Sequence, residues 1–231
     1  MREAVSSGYT VLLTTEKSGQ EEFDFEYGEA YAEHINKYRP QMVKALVRFN
    51  PEGDRTVNEH QTKRLKVLSD FCHANGYKFL IEPLLAPTAK QLSQMAGSIE
   101  HYDEDLRPAL TVKMMQELQG GGVEPDVWKL EGLARAAHYE PVVAQAQSSG
   151  RDGVSVVVLG RGEDAAKVEV WLKAGAKVQG VIGFAIGRTI FWEALVDYKE
   201  KRIDRKAAVR MIAKNYQHFY EVFNAERTTN P

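Results

Sequence analysis

Short apolar runs alternate with longer amphipathic segments along this chain of 231 residues. Apolar runs that are rich in branched aliphatic residues and bounded by glycine, proline or polar residues are typical of buried strands. The pattern predicts six strands, at residues 9–15, 42–49, 77–84, 125–132, 154–159 and 178–186. Between and after them, helical spacing of the apolar positions predicts helices, at residues 29–37, 88–95, 106–118, 133–146, 164–174, 189–199 and 204–223.

A further helix is predicted from residue 56. It opens with Thr56-Val57-Asn58-Glu59, a capping box in which the threonine hydroxyl can accept a hydrogen bond from a free backbone N–H. Its apolar stripe, at helical spacing, consists of Leu65, Leu68, Phe71 and Cys72. Cys72 is the single cysteine, which excludes an internal disulfide and favours a thiol packed in the core. A reduced, cytoplasmic setting is therefore expected.

Strands that alternate with helices, and that are apolar along most of their length, imply a parallel sheet covered by helices. Such a chain is either a doubly wound sheet or a (β/α)₈ barrel, and six predicted strands are fewer than the eight that a closed barrel needs. The sequence has no low-complexity linker and no internal repeat, so we predict a single domain over residues 1–231.

Composition and charge argue against several classes of partner. The net charge is −2, with 43% hydrophobic and 27% charged residues, so we expect no nucleic-acid partner and no membrane partner. No apolar run approaches the length of a membrane span. The six histidines form none of the spacings that ligate metals, and the sequence accordingly predicts no metal site and no cofactor.

Lys129 is the residue whose position in the sequence most clearly indicates a chemical role. It lies in a short apolar run between Pro125 and Gly132, where alternation places Val127, Lys129 and Glu131 on one face of a strand. Burial disfavours the charged form of an amine, and a neutral amine can attack a carbonyl carbon to form a Schiff base. A structural lysine that is paired with a carboxylate would produce the same pattern, and the strand alone leaves both interpretations open.

Polar side chains gather near the carboxyl ends of all six predicted strands. In a barrel, the loops that follow these ends converge on the active site, whereas scattered loop charges would be the alternative. The residues are Glu16 and Lys17 after the first strand, Lys44 and Arg48 on one face of the second, Glu82 at the end of the third, Lys129 and Glu131 on the fourth, Arg161 after the fifth and Arg188 after the sixth.

The last two strand ends resemble an anion site. Gly160, Gly162 and Gly187 allow a close approach of the backbone, and Arg188 stands near the start of a predicted helix. Backbone N–H groups and a guanidinium together suit phosphate or another oxyanion. Each glycine taken alone is better explained by a tight turn, so the prediction depends on Arg188, with Arg161 beside the glycines. The spacing is not that of a dinucleotide-binding fingerprint or of a P-loop.

Several stretches of this chain resemble the class I tagatose-1,6-bisphosphate aldolase and sulfofructosephosphate aldolase group. They are Thr15-Glu16-Lys17-Ser18-Gly19, Val43-Lys44-Ala45-Leu46-Val47, Phe79-Leu80-Ile81-Glu82-Pro83, Asp126-Val127-Trp128-Lys129-Leu130-Glu131 and Gly183-Phe184-Ala185-Ile186-Gly187-Arg188. The segments 47–54 and 122–133 are similar in particular to the aldolase-like domain that is fused to 5-dehydro-2-deoxygluconokinase in inositol catabolism.

The resemblance implies a (β/α)₈ barrel that makes or breaks a carbon–carbon bond through a lysine imine. It implies Lys129 as the Schiff-base lysine, Lys44 as a second active-site lysine, Glu16 and Glu82 as acid–base or positioning carboxylates, and Arg188 as the phosphate arginine. The implied substrate is a phosphorylated keto-sugar or keto-sugar acid, similar to 2-deoxy-5-keto-gluconate 6-phosphate. We expect Arg48, Glu131, Gly160, Arg161 and Gly187 to help bind this substrate, and Lys44 to repel a charge on Lys129.

The resemblance also implies that the first two βα units of the barrel are missing before Met1. Open sheet edges favour association, so a second copy of the chain or a sugar kinase domain is the expected partner. A non-catalytic barrel module is the alternative function. A sugar-phosphate isomerase or epimerase, with Glu82 as base and no covalent step, is a third.

Overall fold

The computed structural model describes residues 2–228. Within them, six strands form a parallel sheet in chain order, as the alternating pattern predicts. The strands are β1 (Leu12–Thr14), β2 (Met42–Arg48), β3 (Lys78–Leu84), β4 (Val127–Glu131), β5 (Ser155–Leu159) and β6 (Val181–Ala185). The first is much shorter than predicted, and directly before it the Val11 N–H donates to the side chain of Gln41.

Helices precede the first strand, connect consecutive strands and follow the last strand. They are α1 (Arg2–Ser6), α2 (Tyr31–Tyr38), α3 (Arg55–Ala74), α4 (Ala89–Gln94), α5 (Ile99–His101), α6 (Arg107–Gly120), α7 (Ala136–Ala146), α8 (Ala165–Ala176), α9 (Arg188–Lys199) and α10 (Arg205–Thr228). A 3₁₀ turn at Gly28–Ala30 precedes α2, and a π-helix at Tyr102–Leu106 precedes α6. The sequence pattern predicted neither of these irregular segments, nor α1 and α5.

The chain divides into two compact units. The first comprises Met1–Lys129 and Ala144–Ser155, and the second comprises Leu130–Val143 and Val156–Pro231. The prediction of a single domain over the whole chain stays a prediction.

The start of α3, in the first unit, differs from the predicted capping box. Asp54 is the N-cap, and its carboxylate accepts a hydrogen bond from the Val57 N–H at 3.1 Å. The predicted role of Thr56 as cap is therefore wrong. Aspartate is among the strongest N-cap residues, and an extended backbone at Asp54 places its side chain over the free N–H groups of the first turn.

Helix α3 packs against β2 and β3, and its predicted apolar stripe is largely buried. Leu65, Leu68 and Cys72 are fully buried, whereas Phe71 is half-buried at the edge of the stripe. Burial, together with the nearby charge of Asp126, raises the pKa of the Cys72 thiol to about 12. A thiol held in this state is unreactive, so Cys72 serves packing, in agreement with the prediction.

The second unit is built around the parallel pair β5 and β6, with α8 packed against β6 and against α10. Asp164 caps α8 by accepting from the Lys167 N–H at 2.9 Å. Trp171 of α8 is buried against Gly132, where a Cβ atom would lie only 2.2 Å from the indole ring. Glycine is therefore required directly after β4.

No helix within residues 2–228 combines the length and the apolar character needed to cross a membrane.

Candidate active site

The strand register of the first unit brings three charged side chains together. Leu46 of β2 is paired with Glu82 of β3, and Ile81 is paired with Trp128 of β4. Because side chains alternate along parallel strands, Lys44, Glu82 and Lys129 share one face of this sheet. Trp128 and Leu130 are buried on the opposite face, as predicted from the alternation.

The four side chains predicted to be catalytic form one chain of alternating charges, which we call the lysine–glutamate chain: Lys129, Glu82, Lys44 and Glu16. Lys129 Nζ lies 3.0 Å from Glu82 Oε1. Lys44 Nζ lies 2.9 Å from Glu82 Oε2 and 2.5 Å from Glu16 Oε1. Two ammonium groups and two carboxylates balance formally, which offsets part of the cost of removing them from water.

Glu82 separates the two lysines. Its carboxylate is bonded to both ammonium groups through different oxygens, and its side chain is buried. The repulsion that we expected between Lys44 and Lys129 is therefore offset by an intervening negative charge. Glu82 is also within proton-transfer reach of both amines.

The two lysines differ in access to solvent. The side chain of Lys44 is 9% exposed and has two carboxylate partners, whereas that of Lys129 is 18% exposed and has one partner within the described residues. An amine must be reached by the carbonyl carbon that it attacks. Access thus favours Lys129 over Lys44 as a nucleophile.

Glu16 is placed by the loop that follows β1. Its Oε2 accepts a hydrogen bond from the Leu46 N–H at 3.2 Å, in addition to its contact with Lys44. The backbone of Glu16 forms an antiparallel bridge with Phe25, so the intervening residues fold back as a closed loop. The position of the Glu16 carboxylate therefore depends on how this loop is held.

A second group of predicted residues lies in the second unit. Arg161 Nε is 3.1 Å from Glu131 Oε1, and the Arg161 carbonyl accepts a hydrogen bond from Arg188 Nη2 at 3.3 Å. Arg161 and Gly162 both have positive φ, of 55° and 80°. The positive φ of Gly162 favours glycine, and a Cβ atom there would lie 2.6 Å from Arg188 Nη2, so a larger residue would displace the guanidinium from this position.

Arg188 opens α9 and lines a cavity of about 310 Å³ with Gly162, Thr189 and Trp192. The Thr189 hydroxyl donates to the Glu163 carbonyl at 2.8 Å, which ties the start of α9 to the loop after β5. Arg188 is exposed. We call Arg161, Gly162 and Arg188 the arginine site.

The remaining predicted residues have local roles in the structure. Gly187 is the N-cap of α9 and has no side chain that could accept a hydrogen bond from the backbone N–H groups of the first turn. Gly160 faces Ile186, where a Cβ atom would lie 3.2 Å away. Arg48 is exposed at the end of β2 and donates to the Gln20 carbonyl at 2.5 Å. These contacts leave their predicted part in substrate binding untested.

Gln61, which the sequence pattern did not single out, is a fully buried residue of α3 whose side chain bonds to the backbone of Phe23 and of Arg48. The sequence does contain an indication of this position, because Gln61 precedes Leu65 by four residues and so falls on the apolar stripe of α3. A polar residue at such a position must be hydrogen-bonded to be tolerated. Among residues 2–228, no group of three or more His, Cys, Asp or Glu side chains could hold a metal ion.

Solved structures place the fold in an aldolase-like class. The chain is similar to the fructose-bisphosphate aldolase from Plasmodium falciparum that was crystallised with TRAP and a small-molecule inhibitor, with a TM-score of 0.66 and 11% identity over 99% of this chain and 72% of that chain. It is also similar to Cgl0159 from Corynebacterium glutamicum, with a TM-score of 0.59 and 17% identity over 90% of this chain and 63% of that chain. At these identities the likeness shows the fold alone. It confirms the predicted α/β class, like that of aldolase barrels, with fewer than eight βα units.

By sequence, the chain belongs to the family described as "Uncharacterized protein conserved in bacteria (DUF2090)", which it matches over residues 1–227. No curated protein matches the sequence.

Proposed function

We propose that this protein is a class I aldolase that forms a Schiff base between Lys129 and a phosphorylated keto-sugar or keto-sugar acid. One observation carries the proposal: the more accessible of two neighbouring lysines lies 3.0 Å from a buried carboxylate that can accept and return its proton. The aldolase-like fold supports the same conclusion. Packing alone needs no such chain of charges, since apolar residues of similar volume would often be equally stable.

The first chemical step requires an uncharged amine. Glu82 takes a proton from the Lys129 ammonium, and the amine then attacks the carbonyl carbon of the substrate to give a carbinolamine. The same carboxyl group returns the proton to the departing hydroxyl, which leaves as water. The resulting iminium carries one positive charge on Lys129 Nζ, so the charge balance of the lysine–glutamate chain is preserved.

The iminium then acts as an electron sink. A carboxylate, Glu82 or Glu16, removes the proton of the substrate hydroxyl, the carbon–carbon bond breaks, and its electron pair passes to the iminium to form an enamine. Protonation of the enamine and hydrolysis of the imine release the second product and the free lysine. Lys44, bonded to both glutamates, keeps their charges balanced while protons move.

We propose separately that the arginine site, within the second unit, binds an oxyanion such as a sugar phosphate or carboxylate. A guanidinium and a flexible glycine beside the start of a helix suit phosphate or carboxylate oxygens. The narrower substrate class, sugar acids similar to 2-deoxy-5-keto-gluconate 6-phosphate, follows from the sequence resemblance and is part of the proposal.

This assignment predicts that Arg188→Ala weakens the binding of a keto-sugar phosphate about tenfold, the loss of one charge-assisted hydrogen bond at an exposed position. Arg205→Ala is the matched control, because Arg205 is also an exposed arginine at the first position of a helix in the second unit. Calorimetric titration measures both affinities. Equal affinities for Arg188→Ala and the parent protein would place the anion site elsewhere.

Schiff-base formation is tested by borohydride reduction in the presence of keto-sugar phosphates, followed by intact-mass measurement. EDTA is present throughout, since an imine mechanism needs no divalent metal. The parent protein and a Lys78→Arg control should gain the mass of one substrate less its carbonyl oxygen, which leaves as water, and Lys129→Arg should gain none. Lys78 is an exposed lysine paired with a carboxylate of the first unit, so it controls for adventitious imines. A parent protein without any adduct would instead favour a non-catalytic module, or an isomerase that uses Glu82 as base.

A further inference from the structure

Gln61 lies between two segments of the first unit that carry members of the lysine–glutamate chain. It is fully buried, on the stripe of α3 that faces the sheet. Its Oε1 accepts a hydrogen bond from the Phe23 N–H at 2.8 Å, and its Nε2 donates to the Arg48 carbonyl at 2.9 Å. One amide therefore fixes the distance between the loop after β1 and the end of β2.

The loop that Gln61 holds is the one that carries Glu16. Phe23 is itself fully buried, and the Lys17 N–H donates to the Asp24 carbonyl at 2.9 Å, next to the bridge between Glu16 and Phe25. A loop that is anchored at Phe23 and closed at its base has little freedom to move Glu16.

The hydrogen bond from Gln61 also holds the end of β2, the strand that carries Lys44. Arg48 follows Lys44 by four residues in β2, and its guanidinium donates to the Gln20 carbonyl of the same loop at 2.5 Å. The loop is thus attached to the strand end directly by Arg48 and through α3 by Gln61. Both attachments act on the pair whose side chains meet at 2.5 Å, Glu16 and Lys44.

We propose that Gln61 is a positioning residue of the candidate site, which holds the Glu16 carboxylate in register with Lys44 and with the Leu46 N–H. Gln61 contacts neither the lysines nor Glu82 within the described residues; it acts through backbone. The inference rests on the proposed function for its effect on catalysis, but its structural part, the placement of Glu16, can be measured without any substrate.

The matched control is Gln91. It is a second fully buried glutamine of the first unit, and its side-chain amide bonds to Asn50, to Glu52 and to the start of α4. None of these contacts involves the loop after β1. Replacing either glutamine by methionine removes a buried amide at similar volume, so any general effect of that loss is shared by the two variants.

The test compares Gln61→Met, Gln91→Met and Glu16→Ala by amide NMR of the folded proteins. The Leu46 amide is the reporter, because its N–H donates to Glu16. We expect the Leu46 signal of Gln61→Met to move toward its position in Glu16→Ala and its hydrogen exchange to accelerate about tenfold, as for the loss of one hydrogen bond. Gln91→Met should leave both unchanged. An unchanged Leu46 amide in folded Gln61→Met would overturn the inference, whether or not the protein is an aldolase.

Gln61→Asn provides a second variant if the methionine substitution prevents folding. Its shorter amide cannot bridge the Phe23 N–H and the Arg48 carbonyl at the same time, so a smaller shift of the same Leu46 signal is expected. The catalytic part is tested by a double-mutant cycle on the rate of carbon–carbon bond cleavage in a keto-sugar phosphate, the step in which Glu16 is a candidate base. Gln61→Met should lower this rate about tenfold in the parent background and have almost no effect in the Glu16→Ala background. Equal effects in both backgrounds would show that Gln61 does not act through Glu16.

Discussion

Replacing each lysine of the lysine–glutamate chain by methionine should separate a structural lysine from a catalytic one. Lys44→Met removes the partner of two carboxylates, and breaking a buried ion pair costs roughly 3–5 kcal/mol. In this variant Glu82 would remain paired with Lys129, and Glu16 would still accept the hydrogen bond from the Leu46 N–H. Because these contacts remain, we expect the free energy of unfolding to fall by about 3 kcal/mol, the lower end of that range.

Lys129→Met should be much less costly. Lys129 is twice as exposed as Lys44, and its partner Glu82 would remain paired with Lys44. The loss is then that of one partly solvated, charge-assisted hydrogen bond, about 1 kcal/mol. The predicted difference of about 2 kcal/mol corresponds to about 1 M in the midpoint of urea unfolding at pH 7. A Lys129→Met cost equal to or above that of Lys44→Met would refute this reasoning and identify Lys129 as a structural lysine.

Two further predictions concern the stability of the first unit. Burial raises the pKa of the Asp126 carboxyl, but hydrogen bonds from Lys78 and from the Phe79 N–H outweigh it and hold this pKa below its ordinary value. A carboxyl whose pKa is lower in the folded than in the unfolded protein stabilises the fold above the unfolded pKa, and this stabilisation is lost as the pH falls. Asp126→Asn should therefore lower the free energy of unfolding by its full amount at pH 7 and by progressively less below about pH 4. Urea titrations at several pH values measure this difference. Asp54→Ala should cost about 1 kcal/mol in thermal unfolding as the loss of the α3 cap, and Thr56→Ala close to nothing; the reverse order would restore Thr56 as the cap.

The strands and most helices were predictable because their apolar positions are periodic, whereas the irregular segments depend on single residues. The π-helix at Tyr102–Leu106 is an example. Pro108, near the start of α6, has no N–H to donate to the carbonyl four residues earlier, and the regular hydrogen-bond ladder is interrupted there. Proline predicts that a helix begins or bends, but not which wider turn the chain adopts.

The candidate site was predictable in its residue types and not in its connections. Alternation along β2 and β4 placed Lys44 and Lys129 on a polar face, and that placement needs only the strand period. The position of Glu82 between them depends on the register of three strands, which one sequence does not specify. The role of Gln61 depends on a loop that folds back onto α3, a contact between residues 38 positions apart.

Peptide mapping of the borohydride-reduced adduct shows which lysine forms the imine. Trypsin does not cleave after a modified lysine, so an adduct on Lys129 would appear on an uncleaved peptide spanning residues 114–135, and an adduct on Lys44 on one spanning residues 38–48. We expect the mass of the reduced adduct on the first peptide alone. The same mass on the second peptide, or on neither, would contradict the assignment of the imine to Lys129.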